Sequence, residues 1–290
     1  MWTYLGQNFL KDSKTRNYIA DKISDLYKKL DCGVLIEIWP WKWAITKLIN
    51  QISDNFIVIE KDVQLAESIK LKAESWELNL KKIINSDVLE VNVEDILKEM
   101  KLNSEQTLVV WNLPYYITSP ILRKFFWNWE CKFPWWIFML QNEVWEKIKS
   151  DAKKKSYLWW LLNYWYDVTY LKMVPAKAFS PIPKVKSCLV KLEIKNSVTS
   201  YGASEKLKIE WDKLLNFLDL YSGFSRKTLG SIQKILVKHW LKTIPPLRDS
   251  LYSDSGCKKT PPEWQFKIPE NLKKNRLEEL GRNEIIKIVN

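Results

Sequence analysis

Short apolar runs alternate with segments of helical periodicity through the first two thirds of the chain. Such alternation is typical of a parallel β-sheet whose strands are joined by crossover helices. The apolar runs predict five strands, at residues 34–38, 56–60, 81–85, 107–111 and 136–140. Helices are predicted between them, for example at residues 63–71 and 120–128. Two later runs, 167–174 and 187–194, flank a proline-rich loop and predict a terminal antiparallel pair.

The periodicity breaks at a polar stretch, residues 195–204, and returns in a purely helical form. Residues 206–238 and 270–289 have helical spacing and many lysines and arginines. We therefore predict an α/β sheet domain over residues 1–195 and a small, basic, α-helical domain over residues 205–290. No apolar run approaches the roughly 18 residues that span a bilayer, and the first residues lack the pattern of a secretory signal. We expect a cytoplasmic protein that does not enter a membrane.

Charge and cysteine usage narrow the classes of function. The net charge of +12 predicts a polyanionic partner, because lysine and arginine gain free energy by releasing the counterions of phosphates. The four cysteines form no CxxC pair, and His239 is the only histidine in the sequence. This pattern favours reduced thiols and predicts neither a metal site nor a nucleophile activated by histidine.

Tryptophan and glycine occur in unusual numbers. The 17 tryptophans and 7 glycines together come to about 8% of the chain, close to ordinary usage of glycine alone. Trp39, Trp41 and Trp43 interrupt the turn WPWKWAIT, which follows the predicted strand VLIEI. With glycine at these positions it becomes a glycine-rich strand-to-helix turn, in which a ligand can lie against the backbone. We infer that these positions are encoded by UGA, which the source organism reads as glycine and which is written here as tryptophan. Tryptophans encoded by UGG would be genuine. The alternative is a tryptophan-rich protein with an accidental pattern.

Two acids follow predicted strands. Glu60 ends the second strand about twenty residues beyond the turn, where an acid in dinucleotide-type folds binds ribose hydroxyls. Asp87 follows the third strand, where a carboxylate can accept a hydrogen bond from an adenine amino group. Ordinary solvated acids are the alternative at both positions.

The segment TLVVWNLPYY, residues 107–116, delivers polar and aromatic groups at the carboxyl end of an apolar strand. Ligands of open α/β sheets bind at those ends. Chemistry on an exocyclic amine needs acceptors that orient the nitrogen lone pair and an aromatic face that clamps the base. The side-chain oxygen of Asn112 and the carbonyl of Pro114 can accept, and Tyr115 can stack. A plain strand-to-helix turn is the alternative.

Several separated motifs, in this order, resemble the KsgA family of ribosomal RNA adenine dimethyltransferases over nearly the full length of the chain. They are GQNFL at 6–10, the turn at 39–46, NLPY at 112–115, FMLQNEV at 138–144, FSPIPKVKS at 179–187, FSRKTL at 224–229 and RLEEL at 276–280. The resemblance implies a Rossmann-like class I S-adenosylmethionine-dependent methyltransferase domain followed by a small C-terminal helical domain.

The resemblance also implies roles for particular residues. The cofactor contacts would be Asn8, Leu10, Trp39, Glu60, Asp87 and Asn112. Phe179 would stack on the target base, and Arg226 and Lys227 would grip RNA. The implied reaction transfers methyl groups from S-adenosylmethionine to N6 of two adjacent adenines near the 3′ end of small-subunit RNA, in an immature 30S particle. We expect a monomer that needs no metal, since the donor is already activated.

The chain departs from the family pattern at several positions. Trp39, Trp41, Trp43 and Trp111 stand where the family has glycine, which independently favours misread glycine, since indoles there are expected to fill the cofactor space. Asn142 replaces a lysine, Ser225 an arginine, and Tyr116 stands where asparagine is common. Two rival functions stay open: a large-subunit adenine methyltransferase that confers antibiotic resistance, and a non-catalytic RNA-binding assembly or transcription factor on the same scaffold.

Overall fold

The computed structural model describes residues 8–40, 43–112, 118–127, 133–149, 151–152, 155–195, 205–222, 227–240 and 266–289. The chain divides into two compact units. The first comprises Met1–Ala152 and Leu158–Gly202, and the second comprises Lys153–Tyr157 and Ala203–Asn290. The sequence had assigned residues 153–157 to the sheet domain; in the structure they belong to the second unit, where the backbone N–H of Lys155 donates to the carbonyl of Glu278 at 3.1 Å.

A seven-stranded sheet forms the centre of the first unit. The described strands are β1 (Phe9–Leu10), β2 (Val34–Ile38), β3 (Phe56–Glu60), β4 (Lys82–Asn85), β5 (Thr107–Asn112), β6 (Trp135–Gln141), β7 (Tyr166–Val174), β8 (Phe179–Ser180) and β9 (Ser187–Ile194). The sheet order is β4-β3-β2-β5-β6-β9-β7, and β1 pairs separately with β8. All five residues of β2 and of β3 are buried, as expected for parallel strands that are covered on both faces.

The first five strands of the sheet are parallel, and the last two run in the opposite sense to their neighbours. Ile38 of β2 is opposite Ile59 of β3 and Trp111 of β5. The predicted terminal pair is confirmed: β9 is antiparallel to both β6 and β7. Since the connections change direction next to β2, the carboxyl ends of β2 and β5 flank the crevice in which ligands of such sheets bind.

Helices connect the strands of the first unit. They are α1 (Ser13–Lys29), α2 (Thr46–Ile49), α3 (Val63–Glu74), α4 (Val93–Glu99), α5 (Thr118–Trp127), α6 (Asn142–Ile148) and α7 (Tyr157–Asn163). A side-chain cap fixes the first residue of α3. Asp62 precedes α3, and its Oδ1 accepts from the N–H groups of Gln64 and Leu65 at 2.9 and 3.0 Å. Among the described helices, none is both long enough and apolar enough to cross a membrane.

Two apolar layers cover the sheet. One includes Ile23 of α1, Leu35, Val58 and Leu108 of the parallel strands, and Leu189 of β9. The other is rich in aromatic rings: Trp111, Phe125, Phe126, Trp136 and Phe138 are all buried, with centroids of neighbouring rings 5.0–6.4 Å apart. Alternation along β5 places Leu108 in the first layer and Trp111 in the second.

The second unit contains α8 (Glu205–Ser222), α9 (Leu229–Trp240) and α10 (Arg282–Val289), with 3-10 turns at Glu270–Leu272 and Leu277–Glu279. The helical spacing over residues 270–289 corresponds to the two 3-10 turns followed by α10. Pro269 begins the first 3-10 turn, and the chain leaves helical geometry at Leu280. Phe217 anchors the core of this unit, with its ring 4.5 Å from Tyr221 and 5.2 Å from Phe266.

Candidate active site

Four predicted cofactor positions lie at the carboxyl ends of neighbouring parallel strands. Trp39 follows β2, and its N–H donates to the carbonyl of Ile59 at 2.9 Å. Glu60 ends β3 opposite Asn85, the last residue of β4, and Asp87 lies two residues beyond. Asn112 ends β5. The topology therefore brings together residues that are up to 73 positions apart in the sequence.

Glu60 is a buried acid with an unused acceptor. Its side chain is fully buried, and Oε1 accepts from the N–H of Asp62 at 2.8 Å. Within the described part of the chain, Oε2 has no hydrogen-bond partner. Burial raises the pKa of the carboxyl from 4.5 to about 7. A buried carboxylate oxygen without a donor is unfavourable on its own, and a ligand hydroxyl would satisfy it.

Asp87 has the opposite electrostatic setting. Its Oδ2 lies 2.6 Å from Nζ of Lys61, and its Oδ1 accepts from the N–H of Leu89 at 2.9 Å. Burial alone would raise the pKa of this carboxyl, but these hydrogen bonds and the charges of Lys61 and Lys124 outweigh it. The pKa therefore lies below the usual value, and Asp87 is a permanent acceptor near neutral pH.

Glu37 is a buried acid beside the candidate site that the sequence analysis did not single out. It lies within β2, is only 3% exposed, and its Oε2 has no partner among the described residues. Burial raises its pKa to about 8; the nearby Thr46 hydroxyl opposes this shift, and Glu60 adds to it. The Thr46 oxygen itself completes no hydrogen bond within the described residues. The available signal was a lone acid inside the apolar run VLIEI.

The N-terminal motif meets the proline-rich loop. Leu10 of β1 is opposite Phe179 of β8, and the N–H of Lys11 donates to the carbonyl of Ala178 at 2.8 Å. Asn8 directly precedes β1. Leu10 and Phe179 both belong to the buried core, at 2% and 1% exposure. Phe179 therefore presents no open ring face in this structure, and base stacking by it stays a prediction.

Other predicted site residues are placed in part or not at all. The backbone of Asn112 pairs with Met139 of β6, whereas its side chain lies outside the described residues. Pro114, Tyr115 and Arg226 also lie outside them. Lys227 is exposed just before α9, in the second unit. The described residues contain no group of three or more side chains able to hold a metal ion.

The turn after β2 carries tryptophan in a backbone conformation that favours glycine. Trp39 and Trp43 both have φ of 60°, a left-handed backbone in which bulky residues are rare. Trp39 is 5% exposed, and the indole Nε1 of Trp43 is buried without a partner in the described structure. Trp41 lies outside the described residues. The acidic residues at the strand ends thus suit the hydroxyl and amino donors of S-adenosylmethionine. The ring of Trp43 packs against the apolar core, with Nζ of Lys47 and Lys72 at 5.4 and 4.9 Å from its centroid, while its left-handed backbone suits glycine.

Trp111 differs from the tryptophans of the turn. Its ring packs against Phe125 at 5.8 Å, Phe138 at 5.5 Å and Trp136 at 6.4 Å, within the aromatic layer. The expectation that this indole fills cofactor space is therefore not met. The strand pleat carries the side chain of residue 111 to the aromatic face of the sheet.

Two solved structures share this fold over most of the chain. A dimethyladenosine transferase from Plasmodium falciparum has a TM-score of 0.65 at 21% identity, covering 97% of this chain and 95% of its own. The 23S rRNA methyltransferase ErmE has a TM-score of 0.57 at 22% identity, covering 80% of this chain and 84% of its own. The fold is that of a Rossmann-like class I methyltransferase, as the sequence predicted.

Sequence comparison identifies the family. Residues 2–216 match the family Ribosomal RNA adenine dimethylase. Proteins described as "Ribosomal RNA small subunit methyltransferase A" are similar: that of Mesoplasma florum is 33% identical, over 77% of this chain and 80% of its own. That of Parabacteroides distasonis is 34% identical, over 70% and 71%. The chain belongs to the ribosomal RNA adenine dimethylase family, which confirms the resemblance seen in the motifs. It is an S-adenosylmethionine-dependent methyltransferase that acts on ribosomal RNA.

Proposed function

We propose that this enzyme transfers methyl groups to N6 of two adjacent adenines near the 3′ end of small-subunit (16S) ribosomal RNA. Its substrate is an immature 30S particle in the cytoplasm, on which it acts as a monomer. The observation that carries the proposal is the match of residues 2–216 to the adenine dimethylase family, together with relatives of at least 30% identity that are described as small-subunit enzymes.

The acids at the strand ends support the cofactor side of the proposal. Glu60 offers a buried oxygen without a donor, which suits the ribose hydroxyls. Asp87, held ionised by Lys61, suits the adenine amino group. Leu10 would line the adenosine subsite, and Asn8 would bind beside it. S-adenosylmethionine supplies an already activated methyl group when bound, so the protein needs no acid, base or metal to activate the donor.

The NLPY segment supports the substrate side. The Asn112 side chain and the Pro114 carbonyl would accept hydrogen bonds from the adenine amine and hold its lone pair toward the methyl group. Tyr115 would stack on the base; Phe179, whose ring is 1% exposed in this structure, would have to turn outward to stack on the opposite face. These groups act by orientation, which is the main contribution a protein can make when the donor is activated and the nucleophile is a neutral amine.

The second unit supports the RNA-binding side. Lys227 is exposed just before α9, and Arg226 precedes it in the motif SRKTL. The net charge of +12 favours binding to the phosphates of structured RNA. Arg226 and Lys227 would therefore position the particle rather than read its sequence, since phosphate contacts carry no sequence information.

The test is transfer of labelled methyl groups to under-methylated small subunits, with the modified nucleoside identified after digestion. The enzyme carries Trp39→Gly, Trp41→Gly and Trp43→Gly in every arm. Asn112→Ala should lower the rate by about 100-fold or more, because a positioned acceptor is lost at the reacting amine. Cofactor affinity is measured separately by calorimetry.

The matched control is Asn79→Ala, at an exposed residue outside the strand ends, which should leave the rate unchanged. Dimethyladenosine formed at the parental rate by Asn112→Ala would remove Asn112 from the catalytic assignment. Product found on large-subunit RNA alone would instead establish the resistance-type methyltransferase. Absence of any product while the cofactor binds would favour a non-catalytic RNA-binding protein.

A further inference from the structure

Left-handed backbone in this protein is concentrated at tryptophan. Five described non-glycine residues have positive φ: Asp31 at 50°, Trp39 at 60°, Trp43 at 60°, Trp76 at 62° and Lys101 at 57°. Three of the five are tryptophan, although tryptophan is 17 of 290 residues. A Cβ in this region lies too close to the following carbonyl oxygen, so glycine is the residue that ordinarily occupies it.

The described glycines do not use this conformation. Gly33, Gly230 and Gly281 all have φ outside the left-handed region. A chain of this size needs left-handed residues at turns and helix ends, and glycine is the residue best able to supply them. The described glycines instead lie where the chain packs closely, since a Cβ at Gly230 would come within 3.1 Å of the carbonyl oxygen of Lys273, whereas three left-handed positions carry tryptophan. This distribution has no explanation in a protein that is rich in tryptophan for reasons of packing.

Position 76 gives an independent example, outside the turn that the motifs singled out. It follows Ser75, the C-cap residue of α3. The N–H of Trp76 donates to the carbonyl of Ala73 at 3.1 Å, and the N–H of Glu77 donates to that of Lys72 at 2.9 Å. These two bonds define a Schellman motif, in which the left-handed position, here residue 76, is most often glycine.

The Trp76 indole gains nothing from its position. Its side chain is 93% exposed, so it contributes no packing that would offset the unfavourable φ. Asp31 and Lys101 occupy the same place after α1 and α4, and both are polar residues that water solvates well. A large apolar side chain with both an unfavourable backbone and full exposure is the combination that a misread glycine would produce.

Trp136 shows what a genuine tryptophan of this fold looks like. Its side chain is fully buried, and its Nε1 donates to the carbonyl of Phe133 at 3.0 Å. Its ring also contacts Phe126 and Phe138 at 5.0 and 5.3 Å. Both the apolar area and the polar N–H of the indole are therefore satisfied, as is usual for buried tryptophan.

We propose that the native protein has glycine at positions 39, 43 and 76 and tryptophan at position 136. The proposal for position 76 is independent of the proposed function. At positions 39 and 43 the proposal rests on the proposed function, because glycine there would let the cofactor approach the backbone between β2 and α2.

The decisive experiment is peptide mass spectrometry of the protein isolated from its natural source. Peptides that span positions 39–43, 76 and 136 are sequenced by fragmentation. Glycine at 39, 43 and 76 with tryptophan at 136 is the expected result. Tryptophan at any of the first three positions, or glycine at 136, would overturn the proposal.

The physical reasoning at position 76 is tested by unfolding of the recombinant chain as written. Trp76→Gly should raise Tm by about 2–4 °C, because glycine relieves the left-handed backbone. Trp76→Ala is the matched control: it removes the same indole but keeps the Cβ, and should give at most a small part of that gain. Equal Tm values for the two variants would refute the backbone argument.

The cofactor turn is tested by calorimetry with S-adenosylhomocysteine. The chain as written should show no binding, whereas Trp39→Gly, Trp41→Gly and Trp43→Gly together should restore it, with folding checked by circular dichroism. Equal binding by both chains would refute the steric argument. Glycine found at 39 and 43 by mass spectrometry, with no binding in the restored and folded chain, would leave the composition proposal standing and count against the proposed function.

Discussion

Glu60 links cofactor binding to pH in a way that can be measured. Burial raises its pKa to about 7, so near neutral pH roughly half of the free protein carries the neutral carboxyl. The ribose hydroxyls are donors and would bind the ionised form. Since apparent affinity scales with the binding-competent fraction, it should rise about tenfold between about pH 6 and about pH 8. Protons are released as the cofactor binds.

The free energy of the contact between the Glu60 carboxylate and the ribose hydroxyls follows from the strength of hydrogen bonds to a charged acceptor. Such bonds contribute about 1.5–3 kcal/mol each, so Glu60→Gln should weaken S-adenosylhomocysteine binding by about 10- to 100-fold at high pH. The variant should also lose the tenfold pH dependence, because glutamine does not titrate. Calorimetry at three pH values, in buffers with different ionisation enthalpies, measures affinity and proton release together.

Asp87→Asn is the matched comparison. The pKa of Asp87 already lies below its usual value, so this carboxylate stays ionised across the same pH range. Replacing it with asparagine should weaken cofactor binding at every pH and leave the change of affinity with pH as it is in the parent. Two results would refute the reasoning. One is equal cofactor affinity of the parent at about pH 6 and about pH 8; the other is a pH dependence of affinity that persists in Glu60→Gln. All arms use the chain with glycine restored in the turn.

The same burial has a consequence for the stability of the free protein. The folded-state pKa of Glu60 is raised, so its contribution to stability is fully present below about 4.5 and is lost as pH rises through about 7. The shift of the Glu60 pKa from 4.5 to about 7 on folding corresponds to about 3 kcal/mol of stability that is present at low pH and absent at high pH. Without cofactor, the free energy of unfolding should therefore fall over this range. Glu60→Gln should reduce the fall in urea titrations at a series of pH values and leave the part that Glu37 contributes, since the pKa of Glu37 is raised to about 8.

Three further outcomes are expected. Phe179→Ala should lower the free energy of unfolding by about 3–5 kcal/mol in denaturant titrations, since the ring is 1% exposed; an unchanged midpoint would show that the ring is not part of the core. Trp111→Gly should cost a similar amount because it empties part of the aromatic layer, and a stability gain would instead favour native glycine there. Lys227→Ala should reduce the salt slope of binding to immature small subunits by about 1, while the exposed Lys98→Ala should not; equal slopes would remove Lys227 from the RNA interface.

The element pattern of the sheet domain could be predicted closely, because its strands carry strong apolar runs. The predicted bounds 34–38, 56–60 and 187–194 match the observed strands, and the others differ by one residue at one end or, for 136–140, at both ends. Over residues 270–289 the spacing of leucines and isoleucines is helical, but the backbone forms two 3-10 turns before α10, a detail that the spacing does not specify. Local proline geometry there overrides the periodicity.

Placement of the candidate site residues at the strand ends was predictable where position along the chain carries the information. A strand followed by an acid identifies Glu60 and Asp87, because sheets of this class expose their strand ends to ligands. Glu37 was missed because an acid inside an apolar strand gives no indication of its neighbours. The burial of Phe179 and the direction of Trp111 were also missed, since a motif states which residue is present and not which face of a strand it occupies.

The sequence by itself determined the α/β class, the succession of strands and helices, the family and the identity of the candidate site residues. These properties follow from local periodicity, composition and the order of motifs along the chain. The tertiary structure alone decided that Leu10 lies against Phe179, that Oε2 of Glu60 has no donor among the described residues, and that Trp39, Trp43 and Trp76 hold a left-handed backbone. Strand register, burial and φ depend on contacts between distant segments, so they become fixed only when the sheet assembles.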